Sequence, residues 1–319
     1  MIYNNLYKII LIVLLILTIM IGKFLSFNKN KEIKVCMCSP VKKENHYLKE
    51  FVQHYKSYNV DKIFLYDNND LNGEHLESVI NEYVHKNYVQ IINFRGKNKA
   101  LYDMMNDCYK NNYLNYDWLI FYEIDEFIHL KNYSDIKKFL NRYEFNKCQT
   151  IQLNWLMHTD NDKIYYEDKP LKIRFPKAKF AKVTAIKSIL RGKISNVRIN
   201  CVHRINNDLI TCNGLGNITH LDGAGTTLLD YKYSYIDHYF CKSTEEFVNK
   251  INKGDALYIN QENLKDRIRV YFAINNRTKE KVDYMKNFIK TNISLIDVLY
   301  YFSYNQFFLL FYGLLQSKL

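Results

Sequence analysis

Three carboxylates lie within four residues of each other, directly after a short apolar run. The run extends from Trp118 to Tyr122, and the carboxylates are Glu123, Asp125 and Glu126. An uninterrupted apolar run rich in aromatic residues is typical of a strand that is buried on both faces. If the strand continued through the acids, Glu123 and Asp125 would share one face and Glu126 would point to the other.

Two carboxylates on one side of a strand end are suitable ligands for a hard divalent cation, which in turn can hold a diphosphate. The alternative is that the acids only cap the strand and begin a solvated loop. We favour the metal site, because an acid cluster next to a buried strand is costly without a partner. His238 ends a Tyr-rich strand, and we predict it as a further ligand because imidazole suits a transition metal such as Mn²⁺.

The elements that must position these residues follow from the alternation of apolar patterns. Strands are predicted over 34–39, 62–66, 89–94 and 118–122, separated by helices over 44–58, 73–86 and 97–112. Strands separated by helices predict an α/β fold with a mostly parallel sheet and flanking helices. No glycine-rich phosphate loop of the dinucleotide or P-loop type occurs in the sequence, which argues against dehydrogenases and P-loop NTPases.

In such sheets, ligands bind beyond the carboxyl ends of the strands. The residues at these predicted ends are Ser39 to Glu44, Asp67 to Asn69, Arg95 to Lys97, and Glu123 to Asp125. One crevice would therefore collect lysines, an arginine, amides and a carboxylate pair. This composition suits a nucleoside diphosphate together with a metal ion.

The second half of the chain has a weaker parallel pattern. We predict a helix over 134–142 with Ser134 as its N-cap, strands over 150–157, 178–190 and 197–204, and a helix over 243–253 capped by Ser243 or Thr244. The predicted domains are an anchor and spacer at 1–31, a catalytic domain at 32–260 and a helical extension at 261–319.

The segment from Leu6 to Leu25 reads as a membrane anchor, because its apolar run approaches the length of a bilayer crossing. A cleaved signal peptide is the competing interpretation, disfavoured because no convincing small-residue cleavage site follows. More lysines follow the segment than precede it, where only Lys8 lies. The positive-inside rule would therefore place the domain in the cytoplasm, contrary to the usual type II pattern. We leave the orientation open. The apolar stretch from Val298 to Gln316 is interpreted as a docked core helix, with a membrane-surface element or second span as alternatives.

The net charge of +12 suits an anionic partner, but the lysines are scattered, which argues against nucleic acid. The seven cysteines do not have the spacing of a zinc module. Cys36 and Cys38 lie in an apolar strand pattern, where thiols usually act as small hydrophobic residues. Disulfides, for instance of Cys201 with Cys212, are expected only if the domain is extracytoplasmic.

Four motifs resemble glycosyltransferase family 92 and related family 2-like enzymes of the GT-A type. They are Val35 to Cys38 with Lys43-Glu44 and Tyr47 to Phe51, Val60 to Asn69, Asp117 to Phe127, and His238-Tyr239 with Lys242-Ser243, Glu246-Phe247 and Gly254 to Ala256. Together they cover roughly residues 34–256 in the family's order. One departure is Glu123, which stands where the family usually has Asp; it can still ligate a metal, but its longer side chain shifts the geometry of the site.

The resemblance implies a GT-A fold and the transfer of a sugar from a nucleotide sugar. It further implies that Glu123 and Asp125, completed by His238, hold Mn²⁺ or Mg²⁺. The nucleotide pocket would be lined by Lys43, Glu44, Asp67 and Asn69.

The family is inverting, so a general base must deprotonate the acceptor hydroxyl. The candidates for this base are Asp160, Asp162, Asp222 and Asp237, of which we favour Asp160 because it follows a strand end.

The sequence therefore predicts a membrane-anchored, metal-dependent glycosyltransferase that moves a hexose, for example galactose, from a UDP-sugar to a glycan hydroxyl. The predicted location is a Golgi- or ER-type endomembrane if the source is eukaryotic or viral. Two other functions stay open: a catalytically silent carbohydrate-binding or scaffold protein on the same fold, and a metal-dependent nucleotidyl- or phosphotransferase.

Overall fold

A computed structural model describes residues 17–18, 32–179, 185–201, 203, 205, 208–219, 230–253 and 261–289. The predicted anchor, apart from Leu17 and Thr18, and the apolar stretch from Val298 lie outside the described residues. No helix within the described ranges is both long and apolar enough to cross a membrane. The elements below belong to the unit that begins at Lys34.

The first half of this unit is a parallel sheet with helical crossovers. Its strands are β1 (Val35–Val41), β2 (Lys62–Asp67), β3 (Val89–Asn93) and β4 (Trp118–Ile120), arranged in the order β3-β2-β1-β4. All three neighbouring pairs are parallel. The crossovers contain α1 (Asn45–Ser57), α2 (Glu77–His85) and α3 (Leu101–Asn112). The α/β prediction is therefore confirmed.

The helical periodicity explains how α1 packs. Its buried side chains are Tyr47, Leu48, Phe51, Val52 and Tyr55, which recur at the spacing of one helix face. On α3 the buried set is Leu101, Met104, Met105, Cys108 and Tyr109, which packs on Cys36, Cys38 and Phe64 of the sheet. These contacts fix the strand ends against the helices.

The second half adds strands of both directions. They are β5 (Glu126–Leu130), β6 (Thr150–His158), β7 (Ala178–Lys179), β8 (Ile186–Arg191), β9 (Thr211–Asn213) and β10 (Ser234–His238). The sheet continues in the order β4-β8-β6-β10-β5, and β7 and β9 both pair with β6. Because β8 is antiparallel to both β4 and β6, and β10 is parallel to β6, the strands β6 and β10 run in the same direction as β1 to β4. Their carboxyl ends therefore reach the same edge of the sheet.

Three local predictions are wrong. The fourth strand ends at Ile120, so Glu123 and Asp125 lie in a loop, and β5 begins at Glu126. No strand forms in the described residues of 197–204, where the backbone N–H and C=O of Ile199 are bound by the Asn106 side chain, at 2.8 and 2.7 Å.

The N-cap of the next helix, α4 (Ile136–Leu140), was also misplaced. It is Asp135, not Ser134, because the Asp135 carboxylate accepts the Lys137 backbone N–H at 2.7 Å.

Short elements connect these strands: a 3₁₀ turn (Tyr143–Phe145) and α5 (Leu171–Arg174). Within the part of the chain that the structure describes, three helices follow β10, namely α6 (Thr244–Asn252), α7 (Gln261–Ile274) and α8 (Lys279–Phe288). Ser243 caps α6 in a capping box with Glu246, which confirms one of the two predicted caps. A shared cluster joins the three helices through Phe247, Ile251, Tyr271 and Met285. The domain boundary placed at 260 stays a prediction.

Two disulfides link the sheet to its surroundings: Cys38–Cys108 joins β1 to α3, and Cys148–Cys212 joins the start of β6 to β9. The free thiols are Cys36, Cys201 and Cys241. The interpretation of Cys38 as a small hydrophobic residue was therefore wrong, because its strand position faces Cys108 on α3. Cys212 pairs with Cys148 and not with Cys201.

Candidate active site

The acid cluster lies in the loop between β4 and β5. The backbone C=O of Glu123 accepts the N–H of Glu126 at 3.1 Å, and the Glu126 carboxylate accepts the N–H of Glu123 at 2.9 Å. The Glu126 side chain thus folds back onto the loop. A continuous strand would have required it to point away from Glu123. Asp125 is 3% exposed and Glu126 is fully buried, so both acids need partners inside the protein.

Lys187 on β8 is the partner of two of these acids. Its fully buried ammonium lies 2.6 Å from Glu123 and 3.3 Å from Glu126. Desolvation, the largest single effect, raises the pKa of the Glu123 carboxyl, but Lys187 and Lys250 together lower it to about 2. Burial raises the pKa of Glu126 to about 8 despite the same lysine, so Glu126 is largely protonated at neutral pH.

Asp125 is paired with lysines from the region around α6. The Lys250 ammonium lies 2.5 Å from Oδ2 of Asp125, and the Lys242 ammonium lies 3.8 Å from the same oxygen. Burial raises the pKa of this carboxyl, but Lys250 and Lys242 hold it well below the usual range. Asp125 is therefore ionised, and both ammonium groups approach Oδ2.

The other carboxylate oxygen of Asp125 faces His238. Oδ1 lies 3.8 Å from Nε2 of the imidazole, and the Nδ1 atom of His238 is buried and has no hydrogen-bond partner among the described residues. The ring packs against Trp155 at a centroid distance of 4.1 Å. Burial lowers the pKa of His238 to about 3, so the ring is neutral and can act as a metal ligand.

Glu44 connects the acid cluster to the end of β1. Lys242 lies 3.7 Å from the Glu44 carboxylate and 3.8 Å from that of Asp125, so one ammonium group is shared between them. Lys253 also pairs with Glu44, and it donates to the backbone C=O of Lys42 at 3.0 Å. The start of α1 and the region around α6 are thereby held together by ion pairs.

The predicted nucleotide residues after β1 and β2 are also brought together. The N–H of Lys43 donates to Oδ1 of Asn69 at 2.7 Å, and the Asn69 side chain donates to Asp67 at 2.8 Å. Arg95 binds the other oxygen of Asp67 at 2.6 Å. Its guanidinium also donates to the backbone C=O groups of Glu74, Asp70 and Gly73, at 2.8, 2.9 and 3.0 Å, and so fixes the loop that follows β2.

The favoured base, Asp160, has partners in a different network. Its Oδ2 lies 2.7 Å from the Lys281 ammonium and accepts the hydroxyl of Tyr271 at 2.6 Å. Asp160 is 1% exposed, and Lys281 and Tyr271 belong to α8 and α7. Among the described residues, no bond of Asp160 reaches the acid cluster, so these contacts hold α7 and α8 to the end of β6. Its role as base stays a prediction.

The other base candidates differ in their surroundings. Asp162 is exposed and lies 3.1 Å from Lys281. The Asp237 carboxylate lies 2.7 Å from His158 and 3.5 Å from His129. Asp222 lies outside the described residues.

The predicted metal ligands are suitable in type. Asp125 Oδ1 accepts no hydrogen bond from a described residue, and its separation from His238 Nε2 leaves room for a shared cation. Carboxylate oxygens with one imidazole suit Mn²⁺, and oxygens suit Mg²⁺. Among the described residues, however, no three such side chains are already arranged around one point. Glu123, the third predicted ligand, is bound instead to Lys187 at 2.6 Å.

Sequence reasoning missed three basic residues of this site. Lys187 is a lone charge within the apolar strand from Ile186 to Leu190. The sequence could have identified it as a site residue, because a charge on such a strand needs a buried partner. Lys242 belongs to a motif named above, but no role was assigned to it. Nothing in the sequence identified Lys250 as a site residue, because a lysine on a helix is usually solvated.

Comparison with known proteins bears on these observations. The sequence matches the profile of glycosyltransferase family 92 over residues 31–267, well over half of the chain. A search of curated proteins found no significant match.

Similar solved structures include S. aureus TarS 1–349 in complex with UDP-GlcNAc, with a TM-score of 0.40 and 11% identity, covering 81% of this chain and 72% of that one. S. aureus TarS 1–349 without that ligand has a TM-score of 0.38 and 11% identity, covering 81% and 71%. Likeness at this level carries no argument. The family match covers well over half of the chain and includes the segments of the acid cluster and of His238: this chain belongs to glycosyltransferase family 92.

Proposed function

We propose that this glycosyltransferase transfers a hexose, such as galactose, from a UDP-linked sugar to a hydroxyl group of a glycan. The observation that carries the proposal is the set of ion pairs across the sheet edge. Lys242 links Glu44, which follows β1, to Asp125, which follows β4. Basic and acidic groups thus meet where an α/β sheet binds its ligand.

The charge of this edge favours a diphosphate. Lys42 and Lys43 lie 3.3 and 3.1 Å from the exposed carboxylate of Asp70, and Lys242, Lys250 and Lys253 lie deeper in the site. Ammonium groups attract phosphate oxygens and stabilise the negative charge that develops on a departing nucleoside diphosphate. The rigid loop clamped by Arg95 would form the nucleoside end of the pocket.

We also propose that Asp125 and His238 hold Mn²⁺ or Mg²⁺, joined by Glu123 after its release from Lys187. Such an ion supplies Lewis-acid stabilisation of the diphosphate leaving group. Asp125 is ionised and His238 is neutral, which are the protonation states that ligation needs.

The reaction we propose inverts the anomeric configuration, with a carboxylate of the acceptor half removing the proton of the attacking hydroxyl. Asp160 is the base proposed from its place after β6. For that role it would have to exchange its bonds to Lys281 and Tyr271 for the acceptor. Replacing Asp160 tests both its chemistry and its structural bonds.

We further propose that the domain works in an oxidising compartment of the endomembrane type, attached to the membrane by the segment from Leu6 to Leu25. The two disulfides support this location, because disulfides persist outside the reducing cytosol. This proposal places the domain on the lumenal side of the membrane, whereas the positive-inside rule would place it in the cytoplasm.

The test is donor turnover by the full chain. The protein is incubated with a panel of UDP- and GDP-sugars, with Mn²⁺ or with EDTA, and release of nucleoside diphosphate is followed. We expect release from one donor, its loss with EDTA and in Asp125→Ala, and its retention in Asp103→Ala, an exposed acid on α3. A folded chain that neither binds nor turns over any donor would favour a silent carbohydrate-binding protein, and phosphate transfer would favour a phosphotransferase.

A further inference from the structure

We propose that Lys242 and Lys250 bind the donor diphosphate directly, exchanging Asp125 for phosphate oxygens, so that the nucleotide binds even without a divalent metal. The inference rests on the proposed function, because it assumes a nucleoside diphosphate in this site. It concerns residues to which neither the acid cluster nor the family match gives a role.

The first observation is that Lys242 is buried but poorly partnered. Its side chain is 4% exposed, yet the nearest carboxylate oxygens, on Glu44 and Asp125, are 3.7 and 3.8 Å from the ammonium. Both distances exceed those of a hydrogen bond. An ammonium group has three N–H donors, and among the described residues no carboxylate comes within hydrogen-bond distance of this one. Lys242 therefore has donors to spare for a ligand that enters between the two carboxylates.

The second observation is that the position of Lys242 is fixed. Its ammonium lies 4.2 Å from the ring centroid of Tyr47, whose hydroxyl donates to Glu246 at 2.6 Å. Its backbone has φ of 49°, in the left-handed region that residues other than glycine rarely adopt. The surrounding structure holds the lysine in this position, as is typical of a residue placed for a ligand.

The third observation is that Lys250 shares an oxygen with Lys242. Both ammonium groups approach Oδ2 of Asp125, at 2.5 and 3.8 Å, whereas Oδ1 faces His238. Two ammonium groups therefore approach a single carboxylate oxygen. A diphosphate carries several charged oxygens and matches two ammonium groups better than a single carboxylate oxygen does.

The experiment measures binding of UDP and of UMP to the full chain by calorimetry in EDTA, with no metal present. We expect UDP to bind, and to bind more tightly than UMP, because only UDP reaches both lysines. Lys242→Met and Lys250→Met should each weaken UDP binding by about tenfold or more, the worth of a charge-assisted hydrogen bond, and should weaken UMP binding less. Lys110→Met, an exposed lysine on α3, is the matched control.

A second variant separates the proposal from a metal-only site. Asp125→Asn removes the carboxylate that competes for the lysines, so UDP binding in EDTA should become several-fold tighter. If Asp125 acts only through a metal, the same variant would leave binding in EDTA unchanged. Thermal unfolding of each variant checks that it is folded, and Lys242→Arg should retain most of the affinity if charge is what matters.

The same binding measurements distinguish a failure of this inference from a failure of the proposed function. UDP binding with Mn²⁺ but none in EDTA, or equal affinities for the wild type and both methionine variants, would overturn this inference and leave the proposed function standing. No binding of any nucleotide, with or without Mn²⁺, would overturn the proposed function itself.

Discussion

The ammonium group of Lys250 lies 2.5 Å from Oδ2 of Asp125, although the two residues are 125 positions apart in the chain. This ion pair brings the region around α6 to the loop after β4 and makes the acid cluster a mixed cluster of acids and lysines. Because Asp125 is buried, the pair neutralises a charge that would otherwise be unfavourable. The site therefore has a charge-balanced state in the absence of ligand, and its lysines are part of it.

Arg95 positions the loop after β2 and should therefore control donor binding. We expect Arg95→Ala to raise KM for the donor by roughly tenfold with a smaller effect on kcat, because Asp67 loses its ion pair and three backbone C=O groups lose their donor. Steady-state kinetics with the active UDP-sugar measures this. Arg95→Lys should not restore KM, since one ammonium cannot reproduce the fork of the guanidinium; full rescue by lysine would contradict the argument.

Asp160 has a structural role that is measurable apart from catalysis. Asp160→Ala removes the partner of the buried Lys281 and of the Tyr271 hydroxyl, and we expect it to lower the free energy of unfolding by about 3 kcal/mol. Urea denaturation of the purified chain measures the change.

Asp162→Ala is the matched control, because Asp162 is exposed and also contacts Lys281. A stable Asp160→Ala variant that has lost turnover would instead support the base role.

The half-buried imidazole of His54 should make stability depend on pH. Burial lowers its pKa to about 4, and its Nε2 lies 2.9 Å from the backbone C=O of Ile128. The unfolded chain has the ordinary His pKa of about 6.5 and so binds the proton more readily. The stabilisation is complete above about pH 6.5 and is lost as the pH falls toward 4.

Thermal unfolding between these pH values measures the effect. His54→Gln should flatten that part of the profile, and an unchanged profile would show that other groups dominate. His85→Gln is the matched control, because His85 lies exposed at the end of α2.

The disulfides should contribute strongly to stability. The Cys148–Cys212 bridge spans 64 residues, and loop-closure entropy predicts a loss of up to about 4 kcal/mol for Cys148→Ser with Cys212→Ser. Guanidinium denaturation with and without a reductant measures it. Replacing Cys201, a free thiol, should have a much smaller effect. If reductant left the stability of the wild type unchanged, the proposed oxidising compartment would lose its support.

Local sequence determined the parallel half of the fold and the residues of the candidate site that follow its strands. Apolar runs and helical spacing located β1 to β4 and α1 to α3 to within a few residues, apart from later starts for α2 and α3. The convergence of Lys43, Asp67, Asn69 and Asp125 followed from the rule that parallel strands end at one edge. The resemblance to the family was recognised from motifs, most of which lie in these same segments.

The tertiary structure decided what the side chains bind. Periodicity gives the face of a strand or helix but not its distant neighbours, so it could not pair Asp125 with Lys250, Glu123 with Lys187, or Cys148 with Cys212. The interpretation of Glu123 to Glu126 as part of a strand was wrong, because the strand ends at Ile120 and the chain then turns. Such a turn depends on tertiary contacts and does not appear in the spacing of apolar residues along the sequence. Asp160 looked like a base from its place after β6, whereas its partners come from α7 and α8, more than 100 residues later. Long-range ion pairs depend on which elements pack together, and only the folded chain determines that.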